Sequence, residues 1–406
     1  MNSEKIFSVA LGLVSPWKVS EINFKENETD KELHIWLDYD SGHFVDTSGK
    51  STVHDRVERS WKHLNFFEHQ CYLHCRVPRV KDREGKVKRV AVPWAREGSG
   101  FTLLFEAYSM CLIEKEMPVN KVGRLVKEYP NRIWTIFNYW IGIAYNAADH
   151  SEVTSMGIDE TSSKKGHDYI TLAVNMDDRS VVHATKGKDS ATIEKISNYL
   201  KSKGCEVDCI EKVCIDLSPS FISGVTKQFK NASIIFDRYH VKQLLNKAMD
   251  THRKNEYRLH KELKGHKYLF LKSNKNLSEK QRAERNDLLE LLPSIGEAYR
   301  LKVLFDDFWE MKDEQEAAGF LSYWCDLVQE SKIYPLIKFT NTVKAHWSGI
   351  INYTAHKITN GVLEGTNSKI QLAKRRARGY RNTNNFINMI YFIAGKLKFN
   401  YPLYLT

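Results

Sequence analysis

Residues 211–237 run EKVCIDLSPSFISGVTKQFKNASIIFD, and how this stretch folds decides the reading of the rest of the chain. A short apolar run ends at Asp216. Ser218 is a good helix N-cap and Pro219 a good first helical residue. Phe221, Ile222, Val225 and Phe229 then fall on one side of a helix. The next apolar run, ASIIFD, ends on a second acid, Asp237. The order is strand, helix, strand, with a carboxylate at the tip of each strand.

Working outward, MGIDE (156–160) is another short strand ending in acid, with Asp159 as the candidate. HDYITLAVNMD (167–177) and SVVHATKGKD (180–189) are two strands joined by a turn at Asp177 to Arg179. SATIEKISNYLKSKG (190–204) is an amphipathic helix with Ile193, Ile196, Tyr199 and Leu200 on one face. From Val241 to about Lys344 no strand is legible; the segment is charged and helical in composition, carries Trp309 and Trp324, and is taken as an all-helical insertion. NGVLEGTNSKIQLAKRRA then opens a helix with Asn360 as cap, and NNFINMIYFIAGKL (384–397) forms another. Three hairpin-like strands followed by helix, strand, helix and strand predict an α/β class, an RNase H-like catalytic domain interrupted by an all-helical insertion.

Upstream, ELHIWLDYD (32–40) and CYLHCRVPRV (71–80) alternate as strands do, with turn signals at DTSGK and DREGK, so a small β-rich module is expected first. From Phe101 the period becomes helical: FTLLFEAYSMCLIEKE, then PVNKVGRLVKEY from Pro118, then Pro130 with NRIWTIFNYWIGIAY. Three short helices with two tight connections predict a helix-turn-helix, although any three-helix packing unit has this pattern. The expected domains are a β-rich module over 1–98, a helix-turn-helix over 99–150, the catalytic domain over 151–249 and 346–406, and the helical insertion over 250–345.

Length and composition fit this plan. The 406 residues, 42% of them hydrophobic, suffice for two or three structural units. The formal charge of +11 permits a polyanionic partner without requiring one. No run of eighteen apolar residues occurs, and the first residues do not have the form of a signal peptide, so no membrane partner is expected. Seven thinly spread cysteines fit a reducing cytoplasm.

Charge is distributed unevenly at the C-terminal end. Glu364 is followed by Lys369, Lys374, Arg375, Arg376, Arg378 and Arg381, and no other Asp or Glu occurs from Gly365 to Thr406. A helix built only to hold phosphates does better without a carboxylate. Glu364 is therefore either a helix-end residue favoured by the dipole or a ligand for a cation. Strand ends meet at one rim of such a sheet, so Asp159 and Asp216 can share a metal. Glu364, from a helix packed on that rim, completes the set, with the basic residues of its helix as candidate DNA contacts. Taken singly, a strand-end Asp is ordinarily a turn or cap residue; three in this order point to Mg²⁺, two ions about 3.5 to 4 Å apart in the known two-metal arrangement.

The stretches GIDETSSKKGHDYITLAVN, IDLSPSFISGV, FDRYHVKQLLNKAMD and GVLEGTNSKIQLAKRRARGYRN resemble the catalytic motifs of the ISL-three family of bacterial insertion-sequence DDE transposases, over most of the chain from about Val53 to Leu397. The resemblance implies that Asp159, Asp216 and Glu364 are the catalytic triad and metal ligands. It also implies that Asp237 to His240 match an Asp-x-x-His signature, with Asp237 in a supporting role and His240 either a phosphate contact near the scissile bond or a core histidine. VHDRVERSWKHLNFFEHQCYLHCRVPRV and VPWAREGSGFTLLFEA also resemble the family, whose members generally carry a zinc ribbon here. VDTSGK (45–50) and KDREGK (81–86) lack cysteine, and Cys71 and Cys75 lie about 13 Å apart by strand rise, too far to chelate one ion together. No zinc is expected on this reading; those two cysteines and Cys205, Cys209 and Cys214 are taken as buried thiols, with Trp36, Trp61, Phe66 and Trp94 as the module's core. Terminal inverted repeats and target DNA are the expected partners of a homodimer, in a nucleoid-associated cytoplasmic setting. A nuclease or resolvase of the same fold and a non-catalytic DNA-binding protein are the alternatives. Trp324 or Trp347 could stack on an unpaired base or belong to the core.

Overall fold

The computed structural model describes residues 3–27, 31–46, 49–81, 85–164, 166, 168–357 and 361–401. The chain divides into two compact units, Met1–Trp140 with Phe399–Thr406, and Ile141–Lys398.

The first unit starts with helix α1 (Ser3–Ala10), which the strand-dominated expectation missed. Six strands follow: β1 (Trp17–Glu26), β2 (Lys31–Tyr39), β3 (His43–Asp46), β4 (Gly49–Lys62), β5 (Gln70–Lys81) and β6 (Val87–Arg89). They pair in the order β1-β2-β5-β4-β3, with β6 on β5; β2 and β5 run parallel and the other pairs antiparallel. Period-two alternation sends Leu33, Ile35, Leu37, Cys71, Leu73, Cys75 and Val77 into one core. Trp94 packs edge-on against Trp17 and Trp61, ring centroids 4.9 and 5.6 Å apart. Two of the four expected core residues lie elsewhere. Trp36 is out of phase with Ile35 and Leu37, so it stands on the opposite face and stacks on His74 at 4.9 Å, while Phe66 is 38% exposed.

Helices α2 (Leu103–Glu114), α3 (Val119–Leu125) and α4 (Pro130–Asn146) follow, the division between units falling within α4. The glutamate at position 106 is completely buried and satisfied by Arg96 Nε (2.9 Å), Ser99 Oγ (2.6 Å) and Trp140 Nε1 (2.9 Å), which ties α2 to α4. Buried charges persist when partnered in this way. Lys62 of β4 is likewise buried against Glu128 and donates to the carbonyls of Val126 and Lys127, fixing the turn between α3 and α4.

The second unit is built on β7 (Ser155–Ser162), β8 (Tyr169–Asn175), β9 (Ser180–Lys186), β10 (Lys212–Ile215) and β11 (Ser233–Phe236), in the order β11-β10-β7-β8-β9. The first three form an antiparallel meander; β10 adds parallel to β7, and β11 parallel to β10. Helix α5 (Ser190–Ser202) leads into β10 and α6 (Pro219–Gln228) into β11. These two helices lie so close that a Cβ on Gly224 would stand 2.7 Å from Ile193 Cγ1.

After β11 the chain is helical: α7 (Arg238–Glu256), α8 (Lys267–Leu271), α9 (Glu279–Leu291), α10 (Pro293–Leu304), α11 (Glu314–Ser331), α12 (Tyr334–Ala345) and α13 (Trp347–His356). Their core holds Phe305, Phe308, Trp309 and Trp324. The Trp324 indole donates to Leu301 O at 2.8 Å, so this ring is core, whereas Trp347 is half-buried. Helices α14 (Gly361–Arg376) and α15 (Thr383–Ala394) return to the sheet, α14 on β7 and α15 on β9. The expected cap of α14, Asn360, lies outside the described residues. Among the described residues no helix is long and apolar enough to cross a membrane.

Candidate active site

Strand register aligns the acids. Cys214 pairs with Gly157 and Ile215 with Phe236, so continuing each ladder sets Asp216 level with Asp159 on one side and Asp237 on the other. Side chains level on adjacent parallel strands share a face. Asp216 and Asp237 each follow the last residue of their strands. Asp159 lies within β7, which continues to Ser162 through its pairing with β8, past the point where β10 stops. Among these three, β10 sets Asp216 beside Asp159 and puts β11 with Asp237 one place further out.

Local bonds set each carboxylate. Asp159 Oδ1 accepts from the Glu160 amide at 2.7 Å, and Oδ2 from Asn367 Nδ2 at 2.6 Å. Asp216 Oδ1 accepts from the Ser218 amide at 2.9 Å, closing the turn into α6; the Ser218 side chain itself makes no cap bond. Asp237 caps α7 by accepting from the Tyr239 amide at 3.0 Å. Its Oδ2 has no hydrogen-bond partner among the described residues and stands 3.6 Å from His240 Nε2. Burial raises the Asp159 and Asp237 pKa values above the ordinary carboxylate range. Asp216 and Asp237 add to the rise at Asp159, and Glu364 adds to it at Asp237, while the charge of His240 opposes both. Glu160, which the sequence reading passed over, is raised by burial and by Asp216 and Asp159, with Lys188 and His240 opposing.

Helix α14 reaches the acids along one face. Leu363 packs on Gly157, Asn367 bonds Asp159, Gln371 donates to Thr161 Oγ1 (2.8 Å) and Ser162 O (3.2 Å), and Lys374 donates to Ser162 O (2.7 Å). Glu364 is exposed and shares with Asp237 the lining of a cavity of about 600 Å³ that also presents Arg238, Lys242 and Lys302. Of the six expected DNA contacts, Lys369, Arg375, Arg376, Arg378 and Arg381 are exposed, whereas Lys374 is committed to Ser162. Asn367 carried no sequence signal beyond lying three residues after Glu364 on the same helix.

Among the described residues no three His, Cys, Asp or Glu side chains are gathered so that they could hold one metal ion as they stand. Mg²⁺ asks for less, since one or two carboxylates suffice with water and phosphate oxygens filling the remaining positions. Adjacent half-buried carboxylates are a donor set suited to a divalent cation, and Asp159 and Asp216 meet that description, Asp216 adding to the burial that raises the Asp159 pKa.

In the first unit, Cys71 and Cys75 are buried, and burial pushes both thiols up to about 12. On the opposite face His34 Nδ1 lies 2.8 Å from His74 Nε2. Cys205 and Cys214 are buried, but Cys209 is exposed, against expectation, because it closes a surface turn before β10.

Comparison with known proteins places these features. Residues 156–390 match a family model described as transposase, and residues 90–141 one described as the helix-turn-helix domain of transposase family ISL3. Residues 48–84 match the zinc-finger of transposase IS204/IS1001/IS1096/IS1165. The transposase for insertion sequence element IS1557 of Mycobacterium tuberculosis is 24% identical over 424 residues, covering 95% of this chain and 94% of that one. The transposase for IS1001 of Bordetella parapertussis is 23% identical over 347 residues, covering 82% and 84%. The zinc-finger match overturns the expectation that no zinc is involved. That expectation weighed only the missing cysteine pairs and the spacing of Cys71 and Cys75, whereas the match runs over residues 48–84, of which 48 and 82–84 lie outside the described set.

Proposed function

Because the chain belongs to the ISL3 family of transposases, we propose that it binds the terminal inverted repeats of an insertion sequence, cleaves the DNA ends and joins the freed 3′-hydroxyl to target DNA. We read Ile141–Lys398 as containing an RNase H-like catalytic domain interrupted by a helical insertion over about 250–345. The observation that carries this reading is the common register of Asp159 and Asp216, with α14 laid along β7 beside them.

Asp159 and Asp216 would hold Mg²⁺, with Glu364 joining them from α14. When bound, the two ions of the proposed mechanism provide Lewis-acid stabilisation of the in-line displacement at phosphorus. The chain's own groups do the rest. Asn367 and the Glu160 amide orient the Asp159 carboxylate. Asp237 starts α7 and so places His240, whose imidazole can contact a phosphate oxygen. Lys369, Arg375, Arg376, Arg378 and Arg381 neutralise the DNA backbone along and beyond α14. The helix-turn-helix and the zinc-finger module select the ends, and a homodimer brings two ends together.

Asp159→Asn, Asp216→Asn and Glu364→Gln test the assignment on a duplex bearing the element's own ends. Each must abolish Mg²⁺-dependent cleavage and leave end binding nearly intact. Cleavage near the wild-type rate removes that residue from the site, and cutting without any 3′-end joining indicates a nuclease or resolvase instead.

A further inference from the structure

We propose that Asn367 is a positioning residue for the catalytic metal site, fixing the Asp159 carboxylate and coupling it to the helix that carries Glu364. The inference rests on the assignment of Asp159 and Glu364 given above. Its basis is the side chain's placement. Asn367 Nδ2 donates to Asp159 Oδ2 at 2.6 Å, across 208 positions of sequence, while the Glu160 amide takes Oδ1 at 2.7 Å. With one donor on each oxygen the carboxylate plane cannot turn, yet each oxygen keeps a second lone pair for a cation. A role in packing alone would call for an apolar side chain here. The same helix uses Leu363 and Ile370 for that purpose, both buried. An amide at this position carries a cost, because Asn367 Oδ1 is buried with no hydrogen-bond partner among the described residues. An orphaned acceptor beside a carboxylate cluster fits a donor that arrives with the ligands, such as a metal-bound water.

Asn367 also stands one helical turn from Glu364, so its bond to β7 sets how far Glu364 lies from the strand. Gln371 and Lys374 continue the same attachment at Thr161 and Ser162. Outer groups that orient ligands in this way typically change metal affinity or activity by about 10- to 100-fold when removed.

The test uses the full chain with Asn367→Ala and Asn367→Leu, the latter keeping the branched shape, and Ile370→Val as a packing control on the same helix. Single-turnover cleavage of the end duplex is followed against Mg²⁺ concentration, and Mn²⁺ binding to the DNA-free chain is measured by electron paramagnetic resonance. Both Asn367 variants must raise the Mg²⁺ midpoint about tenfold or more, recover at saturating metal, and bind Mn²⁺ correspondingly more weakly, while Ile370→Val leaves both midpoints in place. A fall in rate with an unmoved Mg²⁺ midpoint, or Mn²⁺ affinity equal to wild type, overturns the inference. Failure of the wild-type chain to cleave at all would instead count against the proposed function, and Mn²⁺ binding would still decide the role of Asn367.

Discussion

Gly157 tests whether the seat of α14 on β7 controls the chemistry. A Cβ built there would stand 2.7 Å from Met176 Sδ and 2.9 and 3.0 Å from the two Leu363 methyl carbons. Carbon atoms pack best at about 3.5 to 4.0 Å, so Gly157→Ala forces α14 outward by more than half an ångström or pushes Leu363 off its rotamer. Overpacking of this kind costs about 1–3 kcal/mol, measurable as a lower urea midpoint. The larger effect falls on the site, because Leu363 adjoins Glu364 and lies one turn from Asn367. A misplacement near 1 Å can lower a rate by about 100-fold. Single-turnover cleavage by Gly157→Ala should therefore fall by about two orders of magnitude with end binding retained. Leu363→Ala, combined with it, removes the clashing methyl groups and should restore much of the rate. Wild-type cleavage by Gly157→Ala, or a double variant no faster than the single one, would refute the idea that this contact sets the geometry.

Strand order separates the two acids that follow β10 and β11: Asp216→Asn should abolish cleavage at any Mg²⁺ or Mn²⁺ concentration, whereas Asp237→Asn should leave reduced but measurable activity because it misplaces His240. The reverse outcome in the same assay would redraw the metal site. Neutralising Arg375, Arg376 and Arg378 together should weaken binding to all DNA sequences alike and lower the slope of log affinity against log salt by about 1 per lost phosphate contact; an unchanged slope with altered base preference would make them base-reading residues. Burial, with lesser contributions from the charges of His150 and Lys195, pushes His183 down to about 4. The folded pKa lies below the unfolded one, so the neutral ring's contribution is complete above about pH 6.5 and is lost as pH falls toward 4. That gap corresponds to about 3 kcal/mol. Urea titrations between pH 7 and pH 4.5 should show the loss, and His183→Gln should flatten it; equal slopes would place the acid sensitivity elsewhere.

Much of this molecule is local in origin and so was legible in the sequence. The run from Glu211 to Asp237 gives β10, α6 and β11 because its apolar spacing, Pro219 and the strand-ending acids each act within a few residues. The three helices after Phe101 follow from periodicity for the same reason. What local pattern could not settle is which face of an element meets which neighbour. Trp36 has the composition of a core residue, yet its alternation relative to Ile35 and Leu37 sends it to the outer face, and only the parallel pairing of β2 with β5 gives it His74 to stack on. Lys374 belongs to a basic run, but α14 lies on β7 in a register that commits its ammonium to Ser162 O. Asn367 shows the limit most clearly: its bond to Asp159 spans 208 positions, and nothing near it in the chain distinguishes it from a surface amide. Propensity and periodicity act over a turn or a strand, whereas the partners of a buried polar group are chosen by long-range packing, and that was decided only when the helix met the sheet.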